Sequence, residues 1–329
     1  MNAIARRVRS RRLASILLSL FAAAPTVEAQ EIPLLATLST PSISSATKPQ
    51  LLPAYDEDDE TDRGALLLCG GGPLPRSVLE LFFQRGKGEE GKLVIIPTAS
   101  ALADNGDKTR ILSLWSDFNW GKVDVLHALD RAEAEVEEFA NTLRDATAVW
   151  MTGGDQSRLA DRYQGTAVEQ EIRNVMHRGG VVGGTSAGSA IASRVMISGG
   201  QKEARLSNGL DLLPNSIIDQ HFSQRLRFDR LANAVAAHPE RVGIGIDEST
   251  GLLVGKKRAH VVGDGSVYVY ANYERPIKVV RVSHDETARS GADEPESAVT
   301  TAEFRTLRVS PGEVLESRGF PLLAPRERD

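Results

Sequence analysis

A serine with small residues on both sides stands near the middle of the chain. Residues 184–188 read Gly-Thr-Ser-Ala-Gly, a G-x-S-x-G motif centred on Ser186 and placed directly after the apolar run 181–183. A strand that ends in this motif and continues into a helix makes a tight turn, which only small neighbours tolerate and which holds the serine oxygen clear of the sheet. The motif predicts that Ser186 is a nucleophile for acyl transfer. A glycine-rich turn without chemistry is the alternative.

A base must lie within hydrogen-bonding reach of Ser186, because a neutral hydroxyl is a poor nucleophile. The chain has six histidines. His221 follows a predicted strand, 216–218, in a polar loop at the same edge of the sheet. His127 also follows a strand but leads into an acidic helix, and His177 lies late in a helix, where it can cap the C-terminus. His221 is therefore the predicted base.

An acidic side chain usually orients the base, and several carboxylates are candidates. They are Glu203, Asp219, Asp229, Asp247 and Glu248. Glu203 lies in the loop after the strand that follows the elbow helix, from where it could reach the imidazole from the side. Asp219 comes two residues before His221, so on an extended backbone it points the same way. Asp247 and Glu248 end a predicted strand. We expect Glu203 to be the acid, with the others as alternatives.

Acyl transfer also needs backbone donors for the developing oxyanion. The amide of Ala187 directly follows the nucleophile and is the natural first donor. Gly153 or Gly154 could supply the second, because glycine lets the backbone turn an N–H toward the site. We take Ala187 and Gly154 as the predicted pair. No metal and no cofactor is expected for this chemistry.

Short apolar runs alternate with helical stretches from residue 64 onward. The predicted strands are 65–69, 93–96, 123–126, 148–151 and 180–182, and the predicted helices are 76–84, 113–119, 132–144 and 167–178. Continuous apolar strands that alternate with helices indicate an α/β fold with a mostly parallel sheet flanked by helices. In such sheets the site lies at the carboxyl ends of the strands, which is where the predicted site residues fall.

A second set of strands has fewer helices between its members. These strands are 195–198, 216–218, 242–246, 252–254 and 267–271. Their close spacing predicts an antiparallel extension of the same sheet. Residues 283–329 contain a strand-like piece at 303–309 and a polar tail, and we expect this C-terminal extension to pack weakly.

The N-terminus has the pattern of an export signal. Five arginines between Arg6 and Arg12 precede an apolar stretch, 13–24, that is too short to span a bilayer, and small residues follow at the −3 and −1 positions of a cleavage site after Ala29. We predict a signal peptide at 1–29, a disordered linker at 30–62 and a catalytic domain at 63–282. The mature protein is then secreted or periplasmic, with no stable membrane association. An uncleaved membrane anchor is the alternative.

Charge and cysteine content exclude further classes. The net charge is −5, and removal of five arginines and one glutamate, a net +4, leaves −9 for the cleaved chain. Such an acidic product does not attract nucleic acid. Cys69 is the single cysteine, so no internal disulfide can form, and its place in an apolar run predicts a buried strand residue.

Four blocks in this order resemble the cyanophycinase family, serine peptidases related to the dipeptidase that removes N-terminal aspartate. The blocks are 150–156 (WMTGGDQ), 183–189 (GGTSAGS), 219–225 (DQHFSQR) and 243–248 (GIGIDE). The resemblance spans residues 64–271. It implies a flavodoxin-like fold similar to glutaminase domains, a homodimer, and Ser186, His221 and Glu203 in the catalytic roles. Ser189 departs from the family pattern, which usually has alanine there.

The resemblance also implies a substrate. Cyanophycin is a poly-aspartate chain with arginine on each side-chain carboxyl, and the implied activity is a secreted exopeptidase that releases β-Asp-Arg dipeptides. The implied substrate contacts are Gln156, Asp219, Gln220, Arg225, Arg227 and Arg230. Guanidinium groups bind carboxylates with two hydrogen bonds, so the arginines suit the substrate carboxylates. A solvated basic helix face paired with Asp229 is the alternative for the arginines.

Two other activities stay open at this point. One is an aspartyl or isoaspartyl dipeptidase of the same family, and the other is an exported, non-catalytic binding protein on this scaffold. The retention of both Ser186 and His221 argues against the binding protein.

Overall fold

The computed structural model describes residues 64–107, 111–255, 258–272, 278–281, 300–301 and 304–316. The predicted signal peptide (1–29) and linker (30–62) lie outside the described residues, as does most of the extension 283–329. The described strands are β1 Ala65–Cys69, β2 Lys92–Ile96, β3 Lys122–Val125, β4 Ala148–Met151, β5 Val181–Thr185, β6 Val195–Gly199, β7 Arg205–Asn208, β8 Ser216–Gln220, β9 Val242–Ile246, β10 Thr250–Val254, β11 Arg258–Gly263, β12 Val267–Asn272, β13 Lys278–Arg281, β14 Thr300–Thr301, β15 Phe304–Val309 and β16 Glu313–Glu316.

The α-helices of the described residues are mostly short. They are α1 Arg76–Arg85, α2 Arg131–Glu135, α3 Glu137–Ala140, α4 Gln156–Tyr163, α5 Ala167–His177, α6 Ala187–Ala190 and α7 Phe228–Ala237. Short 3₁₀ helices occur at Gly88–Glu90, Ala101–Asn105, Ser113–Trp115 and Asn141–Leu143.

The parallel half of the main sheet consists of β3, β2, β4, β5 and β1, in that order. All residues of β1 are buried, and its side chains alternate between two cores: Leu66 and Leu68 on one face, Leu67 and Cys69 on the other. Helix α5 covers the first face and α1 the second. Burial on both faces explains why these strands are apolar throughout. The predicted α/β fold with a parallel sheet between helices is confirmed.

The antiparallel half continues the same sheet from β1 through β10, β11, β16 and β13. The predicted extension therefore exists, but it does not contain all the strands assigned to it. β8, β9 and β12 form a second sheet with β15 and β14, and β6 pairs with β7 in a separate hairpin. Helix α7 connects β8 to β9 as a crossover, which lets these two strands run parallel.

The described part of the C-terminal extension does not pack weakly, contrary to the sequence expectation. β15 pairs with β12 along six register positions, and β16 lies between β11 and β13. Val309 and Leu315 are both buried. These strands supply partners for backbone groups that the edges of both sheets would otherwise expose.

Two of the predicted helices are shorter or broken. Within 113–119 the structure has one 3₁₀ turn, and within 132–144 the extended backbone of Val136 separates α2 from α3. Helix α4 was not expected as a separate element. It begins at Gln156 because the Asp155 side chain accepts a hydrogen bond from Ser157 N and so caps the helix.

Within the described ranges, no helix is long and apolar enough to cross a membrane.

Candidate active site

The serine turn has the strained geometry that the motif predicts. Ser186 joins β5 to α6 with φ +52° and ψ −110°, an unfavourable backbone conformation for a residue with a side chain. The two flanking glycines are required by space. A Cβ on Gly184 would lie 2.5 Å from the carbonyl carbon of Gly188, and one on Gly188 would lie 2.1 Å from Met151 O. The packing around both glycines therefore fixes the turn that presents Ser186.

His221 stands beside the serine. Its Nε2 lies 2.8 Å from Ser186 Oγ, although the two residues are 35 positions apart in the sequence. His221 follows β8 with φ +49°, so the strand ends abruptly and the ring turns toward the elbow. The structure thus brings together the two residues that the sequence analysis placed at the centre of the chemistry.

The acid on the histidine is Glu248, and the expectation of Glu203 is corrected. Glu248 Oε1 lies 2.5 Å from His221 Nδ1. Glu203 instead lies exposed in the turn between β6 and β7, a hairpin outside both larger sheets. The cause is the parallel pairing of β8 with β9, which sets Gln220 opposite Ile246 and so puts the residues that follow both strands side by side.

The contacts favour one tautomer of the His221 ring. An ionised carboxylate only accepts hydrogen bonds, so Glu248 takes the Nδ1–H of His221. Nε2 is then free of a proton and accepts the hydrogen bond that the Ser186 hydroxyl donates. Burial lowers the pKa of the His221 imidazole below its ordinary 6.5, and Arg225 and Arg227 act in the same direction, while Glu248 opposes them. The neutral ring, which can accept a proton, is thereby favoured near pH 7.

The backbone after β1 holds these three residues in register. Residues 69–71, here called the 69–71 segment, offer three successive carbonyls to the three parts of the site. Cys69 O accepts from Ser186 N at 2.9 Å, Gly70 O from His221 N at 2.7 Å, and Gly71 O from Ser249 N, next to Glu248, at 2.9 Å.

Glycine is needed in this segment for close packing. A Cβ on Gly71, which has φ +109°, would lie 2.2 Å from His221 Cε1, and one on Gly70 would lie 2.0 Å from Asp247 O. The sequence analysis gave Gly70 and Gly71 no role. The available signal was a run of three glycines, 70–72, directly after an apolar strand.

The predicted oxyanion donors differ in their position. Ala187 is the first residue of α6, and the first N–H groups of a helix have no acceptor within the helix. Gly153 lies beside the serine, because a Cβ on it would be 3.5 Å from Ser186 Cβ. Gly154 has φ +143° and packs against Ala99 O. This packing favours Gly153 over Gly154 as the second donor, and both assignments remain predictions.

Asp219 and Arg230 do not fit the predicted role of substrate contacts. Both side chains are buried, with 0% and 3% exposure. Arg230 Nε donates to Asp219 Oδ2 at 2.8 Å, Arg230 Nη2 donates to Asp219 Oδ1, and Arg230 Nη1 donates to Gly200 O at 2.5 Å. A buried ion pair of this kind is part of the fold, because removal of one partner leaves an uncompensated charge.

The other predicted substrate contacts differ in their burial and in their hydrogen-bond partners. Gln156 is buried and donates to Ile197 O at 2.7 Å, and Gln220 is buried with an Oε1 that has no partner among the described residues. Arg227 is mostly buried and donates to Gln220 O at 2.5 Å and Asp219 Oδ1 at 3.2 Å. Arg225 is exposed. The alternative of a solvated basic helix face does not hold, because α7 begins after Arg225 and Arg227, and Arg230, which lies on α7, is buried.

The described residues contain no group of three or more His, Cys, Asp or Glu side chains that could hold a metal ion.

A hydroxyl on a strained strand-to-helix turn, with a neutral imidazole in contact at the carboxyl edge of a parallel sheet, defines the class of serine-type hydrolases on an α/β scaffold. Comparison of the sequence with known protein families identifies a particular family within this class. Residues 66–262 match the sequence profile of Peptidase family S51, more than half of the chain. The protein belongs to this family and is a serine-type peptidase.

Two relatives and a solved structure agree with this membership. The cyanophycinase of Synechococcus elongatus is 36% identical over 230 residues, which are 64% of this chain and 71% of the relative. The cyanophycinase of Trichormus variabilis (strain ATCC 29413 / PCC 7937) is 33% identical over 252 residues, 72% and 80% of the two chains. A solved peptidase from an acI-B1 Actinobacterium is 25% identical, with a TM-score of 0.54 over 64% of this chain and 92% of that one.

Proposed function

We propose that this protein is an exopeptidase that hydrolyses cyanophycin to β-Asp-Arg dipeptides through a Ser186–His221–Glu248 triad. The hydrogen-bonded chain from Ser186 Oγ through His221 to Glu248 Oε1 carries the proposal. The similarity to two cyanophycinases supports the choice of substrate.

The proposed reaction proceeds through an acyl-enzyme. Ser186 Oγ attacks the backbone carbonyl carbon between two units, and His221 Nε2 takes the hydroxyl proton. Backbone N–H groups, with Ala187 N first, stabilise the negative oxygen of the tetrahedral intermediate. The protonated ring then gives its proton to the leaving amine, so the peptide bond breaks and the first product departs. Water attacks the ester by the same route in reverse, and Ser186 regains its hydrogen.

The proton transfer predicts an acid limb in the pH profile. His221 accepts a proton only when it is neutral, and burial lowers its pKa below 6.5. As pH falls through that pKa, kcat/KM should therefore fall, with the midpoint below pH 6.5. Steady-state rates between pH 4.5 and 8 measure the midpoint. A midpoint above 6.5 would contradict the proposed environment of the ring.

Arg225 is the arginine best suited to bind a substrate carboxylate. Arg230 and Asp219 form a buried ion pair, and Arg227 also forms an ion pair with Asp219. Arg225, in contrast, is exposed and close enough to His221 to lower its pKa. Charged hydrogen bonds of guanidinium to carboxylate are stronger than neutral ones, though exposure weakens them.

Arg225→Gln should therefore raise KM for cyanophycin by about five- to tenfold and change kcat less than twofold, because the contact is made equally in ground and transition states. The matched control is Arg144→Gln, an exposed arginine that precedes β4 at the opposite, amino-terminal edge of the sheet. A loss confined to kcat would move Arg225 from substrate binding to the transition state.

Product analysis tests the substrate. The purified protein is incubated with cyanophycin granules, with β-aspartyl dipeptides and with α-aspartyl dipeptides, and the products are identified by mass. Release of β-Asp-Arg from the polymer supports the proposal. Cleavage of the dipeptides alone would establish an aspartyl or isoaspartyl dipeptidase, and turnover of none of them would leave the substrate proposal without support.

We also propose that the protein is exported and works as a homodimer. The arginine-rich and apolar start of the chain supports export. Fractionation of cells that express the full chain should find the product outside the cytoplasm and shortened near Ala29. Light scattering on the purified product should give twice the mass of one chain.

A further inference from the structure

Two side chains outside the triad link the segment of the base to the segment of the acid. Residues 221–224, here called the base loop, follow β8, and residues 247–248, here called the acid turn, follow β9. The strands pair only as far as Gln220 and Ile246, and Phe222 N adds one further bond, to Ile246 O at 3.1 Å. The relative position of base and acid therefore depends on contacts beyond the strand ends.

The base loop and the acid turn exchange hydrogen bonds in both directions. Ser223 N, in the base loop, donates to Asp247 Oδ1 at 2.9 Å. Glu248 N, in the acid turn, donates to Gln224 Oε1 at 3.0 Å. Each segment thus supplies one backbone N–H and one side-chain oxygen. The backbone of Glu248, whose carboxylate contacts the imidazole, is held directly by one of these bonds and through its neighbour by the other.

Asp247 also connects the acid turn to the second sheet. Its side chain is buried, and Oδ2 accepts from Ser266 N at 3.1 Å, while Asp247 N donates to Ser266 O at 3.1 Å. Ser266 directly precedes β12. Burial of a carboxylate is costly unless its oxygens are hydrogen-bonded, and here backbone N–H groups bond both of them. Gln224, in contrast, is exposed.

We propose that Asp247 and Gln224 are positioning residues, which hold the catalytic acid against the base by joining the acid turn to the base loop. The inference rests on the proposed function of Ser186, His221 and Glu248 as a triad. The sequence analysis considered Asp247 only as an alternative acid and gave Gln224 no role. Loss of either bond would let the acid turn shift, and small misplacements of reacting groups cost large factors in rate.

The variants Asp247→Asn and Gln224→Ala test the two bonds separately. Asparagine has one acceptor oxygen and an NH₂ group that only donates, so one of the two backbone N–H groups at Asp247 loses its acceptor. Gln224→Ala removes the acceptor of Glu248 N and changes neither a charge nor a buried side chain. The matched control is Gln170→Ala, an exposed glutamine on α5 whose Nε2 donates to Asn174 Oδ1 at 3.1 Å.

The measurement is the rate at which a fluorophosphonate probe, which reacts with an activated serine, labels the full chain. We expect Asp247→Asn to react about 10- to 100-fold and Gln224→Ala about three- to tenfold more slowly than the wild type, with Gln170→Ala within twofold. Displacement of Glu248 should also weaken its effect on the pKa of His221. The acid limb of labelling should therefore move to lower pH in Gln224→Ala, whereas a merely structural role would leave it in place.

A double-mutant cycle with Glu248→Gln tests whether the two side chains act through the acid. If they do, Asp247→Asn and Gln224→Ala should each change the labelling rate less than twofold when Glu248→Gln is already present, because the contact that they maintain is gone. Losses that multiply in full in that background would overturn the positioning role. A wild-type labelling rate in either single variant would remove that residue from the proposal.

The proposed function fails by different outcomes. If the wild type is not labelled, or if Ser186→Ala is labelled equally well, the proposed nucleophile is wrong. If Glu248→Gln reacts at the wild-type rate, the proposed acid is wrong, and the positioning role is wrong with it. Should Asp247→Asn give no cooperative thermal melt, the exposed Gln224 decides the question through its labelling rate, its acid limb and its cycle with Glu248→Gln.

Discussion

Ser186→Ala is expected to lower kcat by about 10⁴-fold or more while the protein keeps its fold. The proposed reaction forms its covalent bond through Ser186 Oγ, which has His221 Nε2 at 2.8 Å. Without that oxygen only the backbone donors and substrate binding remain, which in serine peptidases leave a small residual rate. The rate of β-Asp-Arg release from cyanophycin measures the loss.

The fold should tolerate this change because the oxygen is dispensable for packing. The elbow is fixed by Gly184, Gly188 and the bond from Ser186 N to Cys69 O, none of which needs the hydroxyl. Far-UV circular dichroism and the melting temperature should therefore match those of the wild type. Undiminished turnover in a preparation free of other peptidases would show that the chemistry lies elsewhere.

The sequence revealed the elbow because its determinants are local. Small residues at fixed spacing around Ser186 specify the turn. The structure adds only which atoms a Cβ at each glycine would clash with. His221 was also accessible, since it follows a predicted strand and since carboxyl ends of parallel strands share one edge. In both cases the position of the residue relative to a predicted strand was enough to predict its place in the site.

Glu248 could not be reached in this way, because its position depends on which strands pair. Glu203 is nearer to His221 in the sequence, 18 positions against 27. The deciding fact is that β9 lies parallel to β8 in a second sheet, with α7 as the crossover. The sequence analysis expected one antiparallel extension, which would run neighbouring strands in opposite directions and separate their carboxyl ends.

The same limit applies to the charged residues on either side of His221 in the sequence. The family resemblance implied Asp219, Arg227 and Arg230 as substrate contacts. Asp219 and Arg230 are 11 positions apart, and only the packing of α7 against β8 unites them as a buried pair. A charge in a sequence does not reveal whether its partner is substrate or protein. The burial of the side chain distinguishes the two cases, because a charge that is buried in the folded protein already needs a partner from the protein.

The second prediction compares the kcat of the Glu248→Gln variant with that of Glu203→Gln. Glu248 takes the Nδ1–H of His221 and so fixes the tautomer whose Nε2 can accept the serine proton. An amide at this position can donate to Nδ1, which would put the ring proton on Nε2 and block the base. We expect kcat to fall about 10³- to 10⁴-fold, as for the loss of the acid in other triads. Glu203 is exposed in a hairpin turn, so Glu203→Gln should remain within twofold of the wild type.

The pH dependence of kcat/KM in the two variants is a second, independent test of which residue is the acid. Glu248 raises the pKa of His221 against the effect of burial, so its neutralisation should lower that pKa further. The acid limb of kcat/KM should then move to lower pH in Glu248→Gln even as the plateau drops, and stay in place in Glu203→Gln. A large loss in Glu203→Gln with an unmoved profile in Glu248→Gln would overturn the assignment of the acid, because both the geometry and the charge effect assign that role to the residue after β9.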